Sequence, residues 1–279
     1  MLLASFSLLA ACQQRPPAES ATLPATVQTP GAIYATDSAR ALTPEQLVAE
    51  LSRHQRVIVG EEHTNGDHHL IEQWLVEKLS AARPQGSVLM EMITPDQQPA
   101  VTEVQQALQS GTPLRAGAVA HRINWQTGWP WLQYRGVVMS AITRPAPLLA
   151  ANLNRAEVSQ FWQQPRLPDG KRSGTAEVRN TISTLITVMH GGEIEPEQLT
   201  PMLAIQQQRD RRMAQSLLTA TPPALLFAGG IHAAKNLGVP LHVGDLDPAA
   251  DVVVLMLVRG GERVSPAVAD YVWTTPEQQ

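Results

Sequence analysis

Arg56-Val57-Ile58-Val59-Gly60-Glu61-Glu62-His63 decides how the rest of the chain is read. Three β-branched residues followed by glycine describe a strand buried on both faces that stops abruptly. Three ionisable side chains then crowd its exit, and a helix opens a few residues later near Asp67. Open α/β sheets hold ligands at the carboxyl ends of strands, where the loops diverge and leave a crevice. Glu61 and His63 stand two apart, so an extended backbone turns both to one side and Glu62 to the other. A carboxylate and an imidazole facing one crevice suit metal ligation, acid–base work or contact with a cofactor. A charged surface loop is the plainer alternative.

The same design recurs along the chain. Ser87-Val88-Leu89-Met90-Glu91-Met92 is a second buried strand with a carboxylate at its exit, which is costly to bury unless paired. Pro147 to Asn152 is a third, with Asn152 at its end, and Ala224-Leu225-Leu226-Phe227-Ala228-Gly229-Gly230-Ile231-His232 is a fourth. Its Gly-x-x-His ending repeats that of Gly60 to His63. Val252 to Val258 is a further strand, too short and too β-branched to cross a bilayer. Between them, Thr43 and Pro44 open a helix whose buried side is Leu47, Val48 and Leu51. Ile71, Trp74, Leu75 and Leu79 predict a helix over residues 67–82, and further helices follow from Pro95 to Gln109 and through Tyr134 to Ala141. Residues 111–131 are less regular and carry Trp125, Trp129 and Trp131, a set that lines a pocket or, more commonly, packs a core. Residues 154–221 are mostly helical, broken by a polar Pro/Gly stretch from Arg166 to Gly174. The pattern predicts an α/β fold: a mostly parallel central sheet flanked by helices, with a helical middle insertion.

A chain of 279 residues, 43% hydrophobic and 16% charged, has globular values and can build a sizeable core. Its net charge of −4 leaves no basic excess to neutralise phosphates, so no nucleic-acid partner is expected. The single cysteine, Cys12, excludes a disulfide framework. It follows a short apolar run ending Leu9-Ala10-Ala11, which resembles a bacterial lipobox after a signal-peptide core. No Lys or Arg precedes that run. The expected organisation is a lipoprotein signal peptide over 1–11, an acylated Cys12 with a flexible tether over 12–40, and one domain over 41–275. The folded part is expected to begin between Ile33 and Leu42. Gln13 after the cysteine fits lipid anchoring at the outer membrane of a bacterial envelope.

Several strands therefore end on polar residues: Glu61 with His63, Glu91, Asn152 and His232. These residues sit among others in a fixed order: Gly60-Glu61-Glu62-His63, Glu91-Met92, Trp129 with Trp131 and Tyr134-Arg135, and Ala151-Asn152-Leu153. Gln208-Arg209-Asp210 with Met213-Ala214 follows, and then Gly229 to Pro240 containing His232 and Gly238-Val239-Pro240. Over about residues 45–245 the chain resembles the ChaN-like haem-binding lipoproteins of the wider Tiki/TraB/erythromycin-esterase-like group. It departs at Ile231, where the family's second motif usually reads Gly-Asn-Gly-His.

The resemblance implies haem binding in iron acquisition, a tyrosine as axial ligand, haem held between paired subunits, and a receptor or transporter that receives it. Phenolate oxygen suits ferric iron. Of Tyr34, Tyr134 and Tyr271, only Tyr134 lies within the likeness, and a buried core tyrosine is its other reading. His232 and nearby Lys235, supplied from a partner subunit, would meet the propionates. His63, His121, His190 and His232 are rival iron ligands; His54 and His242 read as surface positions, and His68 and His69 as neutral hydrogen-bonding groups at a helix start. A second function remains open, a metal-dependent hydrolase in which Glu61, His63, Glu91 and His232 hold a divalent ion. No His-Glu-x-x-His helix or Gly-x-Ser-x-Gly elbow supports the commoner hydrolase routes. A non-catalytic envelope scaffold is the third.

Overall fold

The structure, a computed structural model, describes residues 31–261 and 263–276. Cys12, the expected signal peptide and most of the expected tether lie outside the described residues. Among the described residues, seven strands form one sheet: β1 (Ile33–Ala35), β2 (Arg56–Glu61), β3 (Ser87–Met90), β4 (Leu148–Ala150), β5 (Ala224–Gly229), β6 (Val252–Arg259) and β7 (Tyr271–Thr275). Their order is β1-β7-β6-β2-β5-β3-β4. All neighbours run parallel except β1 and β7. The strand β1 brings the fold's start to Ile33, so residues 33–40, expected in the tether, belong to the domain.

Alternation along the strands explains the layering. Val57 and Val59 of β2, Val88 and Met90 of β3, and Leu225 and Phe227 of β5 enter one core. Ile58, Leu89, Leu226 and Ala228 enter the other. Both faces are apolar because both are covered, as parallel sheets require. The first core is closed by α1 (Pro44–Leu51), α2 (Gly66–Ala82), α3 (Gln98–Gln109), α4 (Ala116–Arg122) and α5 (Trp131–Ile142). The middle region supplies α6 (Arg155–Gln163), α7 (Ala176–Met189) and α8 (Pro196–Thr219). The second core is closed by α8, the short α9 (Gly230–Ala233) and α10 (Val239–Leu246).

Local signals hold at the helix ends. Thr43 caps α1 with a reciprocal capping box to Gln46, and Asn65 caps α2 through the Asp67 N–H. Among the described residues, no helix is long and apolar enough to cross a membrane.

Candidate functional site

The neighbouring strands β2 and β5 send their chains to opposite faces: β2 leads into α2 on the first core, β5 into α9 and α10 on the second. Adjacent parallel strands that part in this way open a crevice at their carboxyl ends. Glu61 is the last residue of β2, Gly229 the last of β5, and Glu91 directly follows β3. These three strand ends therefore lie along one edge of the sheet.

Glu91 lies between two imidazoles. His63 Nε2 is 3.9 Å from Glu91 Oε2, and His232 Nε2 is 3.5 Å from Glu91 Oε1. Each ring is held from behind by a buried carboxylate: His63 Nδ1 is 2.7 Å from Glu61 Oε1, and His232 Nδ1 is 2.6 Å from Asp210 Oδ1. Glu91 Oε2 also accepts the Gly229 N–H at 2.8 Å, and Asn152 Nδ2 donates to the Glu91 backbone carbonyl at 3.0 Å. The row Glu61–His63–Glu91–His232–Asp210 thus alternates carboxylate and imidazole across the crevice.

The electrostatics follow from that row. Burial works to raise the Glu61 carboxyl, but the hydrogen bond from His63 and the approach of His69 bring it down to about 2. Burial would lower His63, yet its bond to Glu61 and the nearby Glu91 charge raise it. His232 moves the same way, because Glu91 and Asp210 outweigh its burial. Asp210, fully enclosed, is raised by that burial to about 6 despite His232.

The glycines of the two Gly-x-x-His stretches have separate reasons. A Cβ on Gly229 would sit 2.7 Å from His63 Nε2, so only a glycine lets this ring lie over β5. A Cβ on Gly60 would meet Met256 Sδ at 2.5 Å and Ala233 Cβ at 2.7 Å, so its absence lets α9 settle against β2.

Other expected residues are placed differently. Tyr134 is fully buried, and its hydroxyl donates to Glu61 Oε1 at 2.6 Å. Burial, reinforced by the Glu61 charge, pushes its ionisation far up, so the phenolate is strongly disfavoured there. Lys235, expected beside His232, instead pairs with Asp270 and donates to the Pro266 carbonyl. Lys235 lies just past the end of α9, and Asp270 directly precedes β7. His121 and His190 are exposed, outside the carboxylate–imidazole row. His242, expected at the surface, is buried, because α10 packs on α8; burial and the Arg211 charge lower it to about 3. His68 matches its neutral hydrogen-bonding role: its Nδ1 accepts the Glu62 N–H at 2.9 Å, and burial holds it at about 4.

Three residues of the site are not evident from sequence reasoning. Asp210 stands out only as part of a motif, yet a carboxylate in the buried stripe of a long helix is a signal in itself. Glu72 sits likewise between Ile71 and Leu75 in the buried stripe of α2. His69, one turn before it, brings Nε2 to 2.9 Å from Glu61 Oε2.

The crevice mouth is aromatic. The Trp129 ring stands edge-on to His63 at 4.8 Å between centroids, and Trp125 packs against Trp131 at 5.3 Å. All three tryptophans are half-buried, and Leu132 and Leu70, on α5 and α2, are 75% and 41% exposed. A groove of about 500 Å³ runs between α2 and α5, lined by His69, Leu70, Gln73, Leu132 and Arg135.

Comparison with known proteins places this geometry. Residues 47–243 match the family described as haem-binding uptake, Tiki superfamily, ChaN. The structure of cofacial haem binding to ChaN of Campylobacter jejuni superposes with a TM-score of 0.80 at 26% identity, covering 87% of this chain and 95% of that one. The type III effector HopBA1 gives a TM-score of 0.48 at 14% identity, over 84% of this chain and 93% of its own. An erythromycin esterase, EreC, gives 0.45 at 12%, over 88% and 83%. At those distances neither bears on function. No curated protein matches the chain.

Proposed function

The chain belongs to the ChaN family of haem-binding uptake proteins in the Tiki superfamily, and from that premise we propose that it binds haem at the aromatic mouth of its crevice. The observations that carry this reading are the half-buried Trp129 ring against the part-exposed ring of His63, and the exposed Leu132 and Leu70 that line the groove between α2 and α5. Large apolar side chains left exposed along one groove suit a binding face. Haem is a flat apolar plate with two carboxylates and an iron centre, so it needs an apolar platform, a cation and a ligand. Leu132 and the tryptophans offer the first, and the exposed Arg135 in the same groove offers the second.

For the ligand, the geometry favours His63. A third of its side chain is exposed, and its Nδ1 is held by Glu61, so Nε2, which faces Glu91 Oε2 at 3.9 Å, is the nitrogen a metal would take. Tyr134, the ligand implied by the family resemblance, would have to surrender its burial, its proton and its bond to Glu61. In the present arrangement it braces Glu61 from behind. A second copy of the chain would enclose the haem from its other side. Lipid anchoring at Cys12, residence at the outer membrane and delivery to a receptor or transporter complete the proposal.

Titration of the purified chain with ferric haem tests it. The expected result is a saturable Soret band that weakens about tenfold in Leu132→Asp, changes its spectrum in His63→Ala and is unaltered in Tyr134→Phe. A band abolished by Tyr134→Phe and indifferent to His63→Ala would overturn the ligand assignment. No saturable band would overturn haem binding itself.

A second reading rests on the carboxylate–imidazole row. Glu91 between two backed imidazoles can exchange protons with a bound substrate, which suits metal-assisted ester or peptide hydrolysis. Cleavage lost in Glu91→Gln would support that reading, and the absence of cleavage with any added divalent ion would end it.

A further inference from the structure

Beneath the crevice floor, on the α2 side of Glu61, a second group of polar side chains is buried with its bonding incomplete. His69 and Glu72 stand three apart on α2 and so share one face of the helix. Both are buried, and among the described residues neither oxygen of Glu72 nor either ring nitrogen of His69 has a hydrogen-bond partner. Glu61 divides its oxygens: Oε1 receives His63 and Tyr134, whereas Oε2 makes no hydrogen bond within the described residues. His69 Nε2 lies only 2.9 Å from that oxygen, but out of line for a hydrogen bond. Burial first, and then the neighbouring Glu61 carboxylate of the same sign, raise the Glu72 carboxyl well above its usual range. A carboxylate in this setting is among the least favourable groups a core can hold unless something neutralises it.

We propose that Glu61, His69 and Glu72 bind a divalent first-row transition ion, of the zinc or manganese type, as three protein ligands beneath the crevice. One donor atom from each residue already lies within 4.8 Å of the others. Bonds of about 2.1 Å place adjacent ligand atoms about 3.0 Å apart in octahedral and about 3.4 Å in tetrahedral geometry, close to the 2.9 Å between His69 Nε2 and Glu61 Oε2. Drawing in Glu72 completes the set. Two carboxylates balance the charge of the ion, and the imidazole favours a transition metal over magnesium or calcium. The Tyr134 ring packs against the His69 ring, tilted by 44° with 4.2 Å between centroids. The groove between α2 and α5 is lined by His69 and gives the ion a way in. This set shares Glu61 with the crevice but is distinct from the Glu61, His63, Glu91 and His232 group expected from the sequence, and it does not rest on haem binding.

The test uses the full chain stripped of metal, then loaded with Zn²⁺, desalted and measured for retained zinc, with thermal melts in parallel. The expected result is one zinc per chain, a melting temperature raised by zinc, and affinity reduced about 100-fold in His69→Gln and in the isosteric Glu72→Gln. Glu91→Gln should retain zinc as the wild type does. Binding lost in Glu91→Gln but kept in Glu72→Gln would overturn the proposal in favour of the crevice. A wild-type chain that retains no zinc and no manganese, together with a Glu72→Gln variant more stable than wild type, would overturn it and show Glu72 to be a buried carboxylic acid holding a proton.

Discussion

At the residue scale, Gly229 and Asp210 show what the sequence conveys and what it withholds. The Gly-x-x-His spacing by itself points to Gly60, His63, Gly229 and His232, because a buried strand ending on glycine and histidine is chemically conspicuous. The reason for Gly229 is not legible in that spacing, since it lies in the contact between β5 and a ring carried by the exit of β2, far away in sequence. Gly229→Ala should keep the fold, displace His63 and weaken ligand binding at the crevice; haem titration beside a circular dichroism melt checks it, and unchanged binding would refute it. Asp210 carries a pH prediction. Burial raises its carboxyl from 3.8 to about 6, and His232 is raised above 6.5. Groups with raised folded values stabilise most at low pH and lose that contribution as pH rises through those values. His68 and His242, lowered by burial, act in the opposite sense, so the informative quantity is the difference between variants. The stability advantage of the wild type over Asp210→Asn, from urea unfolding, should be larger at about pH 5 than at about pH 8. A constant or growing advantage would mean that the Asp210–His232 pair is not linked to folding.

At the element scale, long signals are readable in the sequence and short ones are not. The strands β2, β3, β5 and β6 announce themselves by β-branched and aliphatic runs, and α1 and α2 by their caps and apolar spacing. The three-residue β1 is too short to establish a period, and α4 and α10 have no side-chain cap to mark where they start. Without α10, His242 is misplaced as well, because no buried face can be assigned to an unrecognised helix. β7 has the composition of a strand but only pairing with β1 and β6 reveals its place. The alternation in β3 leads to a stability prediction. Leu89 is fully buried on the face opposite Val88 and Met90, so Leu89→Ala leaves a cavity in the second core alone. Urea unfolding should show a loss of about 2–5 kcal/mol, and a change under about 1 kcal/mol would mean that this core collapses to fill the void.

At the scale of the whole molecule, one topological fact organises the rest. β2 and β5 lie side by side and part to opposite faces, so side chains from four strand ends and one long helix meet at a single edge of the sheet. That meeting can be anticipated from the sequence, since buried strands with polar exits have few other arrangements. Which ring stays accessible cannot, because the exposure of His63 and the enclosure of Tyr134 depend on how α5 settles on α2. Haem binding by this chain depends on the aromatic mouth being a platform for the porphyrin, and a crystal structure of the chain grown with haem tests that most directly. The porphyrin should lie against Trp129, Trp131 and Leu132 with its iron reached by His63; a porphyrin seated elsewhere on the molecule, or excluded from it, would contradict the proposal.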